Sequence, residues 1–331
     1  MTRPKLLITR TLPQAVLAEA QRQFDVSLWS RDEPIGTAFD NWSRGCDAVL
    51  VMATDRLDRP RLQALARHAR AVATYSVGYD HIDLDAATEC GLPVFHTPDV
   101  LSDAVAETAM LLILSAARDA SGAEALLRGG GWGPWSPTRF LGKQLTGRTL
   151  GVFGMGRIGR ALAQRALGFG LQVHYHNRSP LPANGNDSQL TYHPTLESLL
   201  EFSDVFCVCA PSTPQTRGML DAHRLGLLPP GAIFVNIARG DLVDEDALIE
   251  AIAAGRIGAA GLDVYRNEPR IDPRFLKLPH TTLLPHIGSA TTEARTAMGF
   301  IILQALDRWL REGQPSDNCL NPSTLQRRTS A

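Results

Sequence analysis

Residues 149–160 read T-L-G-V-F-G-M-G-R-I-G-R, and no other stretch of the chain restricts its fold as tightly. The apolar run 150–153 has the length and composition of a buried parallel strand. It turns on Gly154, Gly156 and Gly159 in the spacing G-x-G-x-x-G. Residues 157–169 then continue with helical periodicity, with Ile158, Leu162, Ala166 and Phe169 on one face. Strand, glycine turn and helix in that order form a dinucleotide-binding fingerprint. The first glycine permits the tight turn and the second lets a pyrophosphate approach the backbone. The third lets helix and strand pack closely, while the helix N-terminus offers oriented N–H groups to the anion. Met155, Arg157 and Ile158 belong to the same turn, and Arg157 can add a charge-assisted contact to the phosphates.

The next strand, residues 171–176, should present a group to the adenosine ribose. An NAD site usually places Asp or Glu at this strand end to grip the ribose 2′-OH. Here Asn177, Arg178 and Ser179 follow instead. A carboxylate repels a 2′-phosphate, whereas a guanidinium and a hydroxyl bind it. The pattern predicts NADP(H) as the preferred cofactor, with NAD(H) as the alternative.

The chain has 331 residues, enough for two domains with proper cores, and a formal net charge of −1, which gives no bulk attraction for nucleic acid or an anionic membrane. The apolar run 6–8 is too short for a secretory h-region, and the longest apolar stretch, 109–117, is too short to span a bilayer. Five cysteines, at 46, 90, 207, 209 and 319, form no C-x-x-C, which fits reduced thiols in a cytoplasmic protein. Cys207 and Cys209 lie in an apolar strand and read as packing residues. His174 and His176 share a strand face with no third ligand nearby, so no metal site is expected.

Elsewhere strands and helices alternate with short connections, which requires parallel sheets covered by helices. In the first hundred residues strands are expected at 5–9, 25–30, 48–52 and 71–74, and helices at 13–23 and 59–68. This unit has no glycine fingerprint. Residues 75–80, Y-S-V-G-Y-D, lie beyond a strand's carboxyl end, where backbone N–H groups near Val77 and Gly78 can hold a carboxylate. One long helix, 102–128, capped by Ser102 and Asp103, should cross to the second unit. Residues 129–137, G-G-G-W-G-P-W-S-P, break it, and their two tryptophans are expected to bury against something, such as another subunit. Beyond the fingerprint unit come a surface loop at 181–189 and a helix at 195–201. Strands at 205–209, 232–236, 259–263 and 281–284 follow, with a helix at 244–254. A final helix, 292–311, leads into a polar and partly disordered tail from 313.

Three strand ends of the second unit deliver Arg239, Glu268 and His286 to one edge of a nucleotide-binding sheet. Reduction of a 2-keto acid needs a hydride, a proton for the forming alkoxide and an anchor for the substrate carboxylate. An imidazole has an ordinary pKa near 6.5, so His286 can donate the proton. Glu268 would favour the imidazolium and orient it, and the planar fork of Arg239 can bind the carboxylate and polarise the carbonyl.

Together the fingerprint, N-I-A-R-G at 236–240, G-L-D-V-Y-R-N-E-P at 261–269 and P-H-I-G-S-A-T at 285–291 resemble the D-isomer-specific 2-hydroxyacid dehydrogenases. Within that family the likeness is to glyoxylate/hydroxypyruvate reductases and 2-ketogluconate reductases, over about residues 5–320. It implies an α/β protein of two Rossmann-like domains. One is a split, flavodoxin-like substrate domain at 1–100 and 288–331, and the other an inserted dinucleotide-binding domain at 101–287. Arg239, Glu268 and His286 would be the catalytic trio, and the backbone of Val77 and Gly78 would bind the substrate carboxylate. Cys209, Pro211, Thr216, Ile237, Ala238 and Asp263 would line the cofactor. The tryptophan loop resembles the arm of a homodimer, which implies that Trp135 reaches the partner's active site. The chain ends without the regulatory domain of many phosphoglycerate dehydrogenases, which points away from feedback-controlled serine biosynthesis.

The reading that follows is an NADPH-linked reductase of small 2-keto acids: glyoxylate, hydroxypyruvate or 2-ketogluconate. Two alternatives stay open. The same fold and trio serve in a corepressor-like protein that senses NAD(H) and controls partner binding, and related enzymes oxidise formate or phosphite.

Overall fold

Runs such as Leu6-Leu7-Ile8 and Ala48–Val51 are buried along their whole length. A strand covered by helices on both faces produces that uninterrupted apolar pattern. A computed structural model describes residues 2–182, 189–314 and 316–324. The chain divides into two compact units, Met1–Leu101 with Ala290–Ala331, and Ser102–Ser289.

The first unit opens with β1 (Lys5–Ile8), α1 (Gln14–Gln23), β2 (Asp25–Leu28), the short α2 (Phe39–Trp42) and β3 (Ala48–Val51). It continues through α3 (Arg59–Leu65), β4 (Ala71–Thr74), α4 (Leu84–Glu89) and the two-residue β5 (Val94–Phe95). All five strands are parallel, in the order β2-β1-β3-β4-β5. This is the flavodoxin-like order, as expected. Asp58 and Asp83 cap α3 and α4 by accepting the N–H groups of Arg61 and Ala86.

The second unit begins with α5 (Ser102–Arg118) and α6 (Ala120–Arg128). They replace the single helix expected over 102–128. Asp119 has φ of 46°, in the left-handed region, and the Ala117 carbonyl that the break releases accepts the Lys143 N–H at 2.7 Å. Gly142 passes so close that a Cβ there would lie 2.5 Å from the same carbonyl. After the loop come β6 (Thr149–Phe153), α7 (Arg157–Gly168), β7 (Gln172–His176), β8 (Leu190–Tyr192), α8 (Leu196–Glu201) and β9 (Val205–Val208). Of the expected surface loop at 181–189, residues 183–188 lie outside the described residues. The unit closes with α9 (Ala222–Leu225), β10 (Ala232–Asn236), α10 (Glu245–Ala253), β11 (Ile257–Leu262) and β12 (Thr281–Leu283). Its seven parallel strands run β12-β11-β10-β9-β6-β7-β8. The order reverses between β6 and β9, and ligands of open α/β sheets bind at such a switch point, outside the carboxyl ends of the strands.

Finally α11 (Thr292–Glu312) rejoins the first unit, capped by Thr291. A Cβ on Gly299 would lie 2.3 Å from Val16 Cγ1, so its helix face sits directly on α1. Within the tail beyond it, residues 316–324 are tied to the first unit by hydrogen bonds. Asn318 and Asn321 are buried, the Asn321 amide takes the Val94 N–H at 2.8 Å, and it donates to the Leu92 carbonyl at 2.9 Å. Residues 325–331 lie outside the described residues.

Candidate active site

The three fingerprint glycines have different physical reasons to be glycine. A Cβ on Gly154, whose φ is +100°, would fall 2.5 Å from the Ala210 amide nitrogen. One on Gly159 would fall 2.4 Å from the Gly154 carbonyl oxygen. Both are demanded by the protein's own packing. A Cβ on Gly156 would meet no protein atom within 4 Å. That bare position lies at the cap of α7, which no side chain caps, so the turn fits an incoming pyrophosphate. Asn177 accepts the Met155 N–H at 2.7 Å and so locks this turn to the end of β7. The buried face of α7 is Gly159, Leu162, Ala163 and Ala166. Ile158 is half-buried, and Phe169, expected on that face, is exposed because the helix ends at Gly168.

Arg157, Arg178 and Ser179 are exposed. The short loop bearing Arg178 and Ser179 is stapled at both ends. The Tyr192 hydroxyl donates to the Asn177 carbonyl at 3.3 Å, and the Tyr175 hydroxyl accepts the Leu181 N–H at 2.9 Å. Tyr192 lies on β8, a strand the sequence reading did not anticipate. The same strand leads to His193, the third imidazole that was thought missing. Its Nε2 lies 3.0 Å from His174 Nδ1 and its Nδ1 2.8 Å from Ser198 Oγ, while its carbonyl accepts the His176 Nδ1–H at 2.9 Å. Burial, then the adjoining imidazoles, hold His174 and His193 below the usual histidine range. Among the described residues no three such side chains are arranged to hold a metal ion.

Beyond β9, the Thr216 hydroxyl closes a turn by donating to the Pro211 carbonyl at 2.7 Å and accepting the Thr213 N–H at 2.8 Å. Cys209 is half-buried with its sulfur 3.8 Å from that of buried Cys207, both as free thiols.

Beyond β10 the chain turns through Ile237 and Ala238 to Arg239. The buried Asn236 side chain shapes this turn, accepting the Ala238 N–H at 3.0 Å and donating to the Arg239 carbonyl at 2.9 Å. Arg239 itself is half-buried in extended backbone, and its guanidinium donates to the Ala238 carbonyl at 2.8 Å. At Gly240 a Cβ would lie 2.0 Å from the Tyr265 carbonyl carbon, so the Arg239 turn rests directly on the loop that carries Glu268. Glu245, at the start of α10, accepts the Arg266 N–H of that loop at 2.6 Å.

Glu268 accepts the Tyr265 N–H on Oε1 at 2.9 Å and faces His286 Nδ1 with Oε2 at 2.6 Å. Burial alone would push this carboxyl up. The hydrogen bond and charge of His286, the Tyr265 amide and the charge of Arg239 outweigh it and hold Glu268 below the usual carboxylate range. His286 has φ of 54°, a costly backbone state for a non-glycine residue. Asp263 enforces it. Its carbonyl accepts the His286 N–H at 2.9 Å, and its buried carboxylate accepts the Ile287 and Gly288 N–H groups at 2.7 and 2.8 Å. Burial, partly offset by those amides and by His286, raises the Asp263 pKa. Asp263, expected to line the cofactor, holds the histidine loop through these contacts.

The second unit thus brings Arg239, Glu268 and His286 into one electrostatic group. Asn236, Gly240 and Glu245, which orient them, were missed by sequence reading, although Asn236 and Gly240 lie within the N-I-A-R-G motif and Glu245 lies in the helix expected at 244–254. Val77 and Gly78 follow β4 in the first unit, both half-buried. Trp132 and Trp135 are 68% and 83% exposed in the single chain, so within it they have not found the burial expected of them.

Residues 110–288 match the model of the D-isomer specific 2-hydroxyacid dehydrogenase, NAD binding domain. The glycerate dehydrogenase of Hyphomicrobium methylovorum is 40% identical over 301 residues, covering 90% of this chain and 93% of that one. A glyoxylate reductase of Thermococcus litoralis is 38% identical over 329 residues, 98% of each chain. Among solved structures, the NADPH-dependent glyoxylate/hydroxypyruvate reductase of Sinorhizobium meliloti, in complex with NADP and malonate, superposes with a TM-score of 0.84 at 35% identity. That match covers 96% of this chain and 97% of the other. With a family match over the fingerprint unit and relatives aligned over nearly its whole length, the chain belongs to the D-isomer specific 2-hydroxyacid dehydrogenases, a family of oxidoreductases.

Proposed function

We propose that the protein reduces small 2-keto acids, glyoxylate or hydroxypyruvate and by extension 2-ketogluconate, to D-2-hydroxy acids with a preference for NADPH. The observation that carries this reading is the His286–Glu268 pair at 2.6 Å, in a unit that also presents Arg239. Glu268 accepts the Nδ1 proton of His286 and stabilises the imidazolium, leaving Nε2 to give its proton to the substrate oxygen. Arg239 binds the carboxylate and draws charge from the carbonyl. Val77 and Gly78 hold the carboxylate through their amides. The bound nicotinamide supplies the hydride. Gly154, Met155, Gly156, Arg157, Ile158 and Gly159 would hold its pyrophosphate, with Arg178 and Ser179 taking the ribose 2′-phosphate. Residues 1–100 and 288–331 then act as the substrate domain and 101–287 as the cofactor domain.

The relatives support the substrate class by name, and the Sinorhizobium enzyme, NADPH-dependent and holding NADP, supports the cofactor preference. The exposed Trp132 and Trp135 support a homodimer whose arm brings Trp135 to the partner's site. Five free thiols support a reducing, cytoplasmic setting.

Loss of nicotinamide absorbance with glyoxylate, hydroxypyruvate and 2-ketogluconate, each against NADPH and NADH, tests the proposal. NADPH-dependent turnover of one or more substrates is expected. Turnover with NADH alone overturns the cofactor preference, and no turnover in any pairing overturns the reductase reading.

A further inference from the structure

Three successive carbonyls follow β4 in the first unit, and each is held by a different donor. Ser76 O accepts the Thr97 N–H at 3.0 Å. Val77 O faces His96 Nδ1 at 3.0 Å, and Gly78 O accepts from Ser76 Oγ at 2.6 Å. A trans peptide is planar, with its C=O and the next N–H pointing in opposite directions. The peptides of this segment are trans. Fixing the three carbonyls therefore fixes the N–H groups of Val77, Gly78 and Tyr79, each directed away from its carbonyl's donor. Successive backbone amides held in place in this way can form an anion site.

We infer that His96 and Ser76 are positioning residues for the amides that hold the substrate carboxylate: His96 aims the Gly78 N–H, and Ser76 adds the Tyr79 N–H beside those of Val77 and Gly78. The inference rests on the reading that this loop binds that carboxylate. A carbonyl can only accept, so His96 must carry its proton on Nδ1. The imidazole is itself held, because the His96 backbone exchanges two hydrogen bonds with Asn318, one at 3.1 Å to its carbonyl and one at 2.8 Å from its side chain. Ser76 is ordered by a relay. His81 Nε2 lies 2.9 Å from Thr74 Oγ1, which lies 2.7 Å from Ser76 Oγ. Because Ser76 donates to Gly78 O, Thr74 must donate to Ser76 and His81 Nε2–H to Thr74. One direction of protons satisfies the whole chain, and aligned hydrogen bonds strengthen one another.

The test compares His96→Leu, His96→Asn and Ser76→Ala with the unsubstituted enzyme, using glyoxylate and its neutral analogue methyl glyoxylate at saturating NADPH. An asparagine Nδ2 occupies nearly the place of the imidazole Nδ1, so it keeps the donor. His96→Leu should raise the glyoxylate KM about tenfold, the effect of one misdirected hydrogen bond to a charged group, with kcat and the NADPH KM little changed. His96→Asn should restore it, and methyl glyoxylate should be insensitive to all three changes. An unchanged glyoxylate KM in His96→Leu, or an equal rise for the ester, overturns the inference while leaving the carboxylate reading in place. Unsubstituted enzyme that uses the ester as well as the acid overturns the carboxylate reading itself. If His96→Leu does not fold, Ser76→Ala gives the same comparison through the Tyr79 amide.

Discussion

Replacing Glu268 by glutamine keeps the size of the side chain and removes its charge. In the native pair Oε1 accepts the Tyr265 N–H at 2.9 Å and Oε2 the His286 Nδ1–H at 2.6 Å. A carboxamide has one acceptor oxygen and one NH2, so whenever His286 carries a proton on Nδ1, as the imidazolium must, one of the two donors faces another donor. A hydrogen bond to a charged group contributes about 1.5–3 kcal/mol. The His286 and Glu268 side chains are 39% and 28% exposed, so water screens the pair and the lower part of that range applies. About 1.5–2 kcal/mol corresponds to a loss of about 10–30-fold in kcat for keto-acid reduction. Initial rates of NADPH consumption at saturating substrate measure it, with a thermal melt as the control for folding. The pH dependence carries a sign. Because the Glu268 pKa lies below its ordinary value of 4.5, the native carboxylate stays ionised through the usual glutamate range. Any loss of the native rate through protonation of Glu268 itself should therefore begin only below pH 4.5. A folded Glu268→Gln enzyme with kcat within about twofold of native at neutral pH would refute the reasoning.

The glycine turn separates what the fold requires from what a ligand requires. Gly159→Ala places a Cβ 2.4 Å from the Gly154 carbonyl oxygen and should cost about 1–3 kcal/mol in urea unfolding. Gly156→Ala meets no protein atom within 4 Å, so stability should stay within about 0.5 kcal/mol while NADPH affinity, read by fluorescence titration, falls about tenfold or more. Equal effects of the two changes on stability would contradict this division. The buried Glu245 gives a pH test: burial, partly offset by the amide and charge of Arg266, raises its pKa above 4.5. A raised carboxyl pKa stabilises the fold below the unfolded value, and that contribution is lost as pH rises through the folded value. Glutamine keeps the acceptor for the Arg266 N–H and drops the charge, so the stability of Glu245→Gln relative to native should increase from pH 4.5 to pH 8. A difference that shrinks over that interval would show that the charge is not a burden there.

Local chemistry made the fingerprint, the strand alternation and the three ionisable strand ends legible in the sequence. Each depends on residue types at short spacing. What escaped depends on distant partners. Nothing in Arg118-Asp119-Ala120 breaks a helix by propensity, and the break exists beside residues 142 and 143, which pass close to the Ala117 carbonyl. The tail reads as polar from its scattered Gln, Ser, Asp, Asn, Thr and Arg residues. Asn318 and Asn321 are polar because they supply the hydrogen bonds that the short strand β5 lacks on one edge. His193 was overlooked because β8 has only three residues, too few for an alternation to register.

The residues expected to do chemistry are partly exposed, while those that aim them are buried, and this separates activity from stability in a measurable way. Asn236 is 2% exposed, and its amide satisfies the Ala238 N–H and the Arg239 carbonyl. In Asn236→Ala these groups lose their partner, at a cost of about 1–3 kcal/mol for each buried group left unsatisfied. Arg239→Ala removes a half-buried guanidinium that donates to the adjoining Ala238 carbonyl at 2.8 Å and leaves the Asn236 hydrogen bonds in place, so it should cost less stability than Asn236→Ala. If Asn236 acts on catalysis only by aiming Arg239, a double-mutant cycle has a definite form. Asn236→Ala should lower kcat/KM in the native background and change it little when Arg239 is already alanine. Its loss of stability, measured by urea unfolding, should be the same in both backgrounds. An equal loss of kcat/KM in both backgrounds would show that Asn236 reaches the chemistry by another route, such as the Ile237–Ala238 backbone beside it.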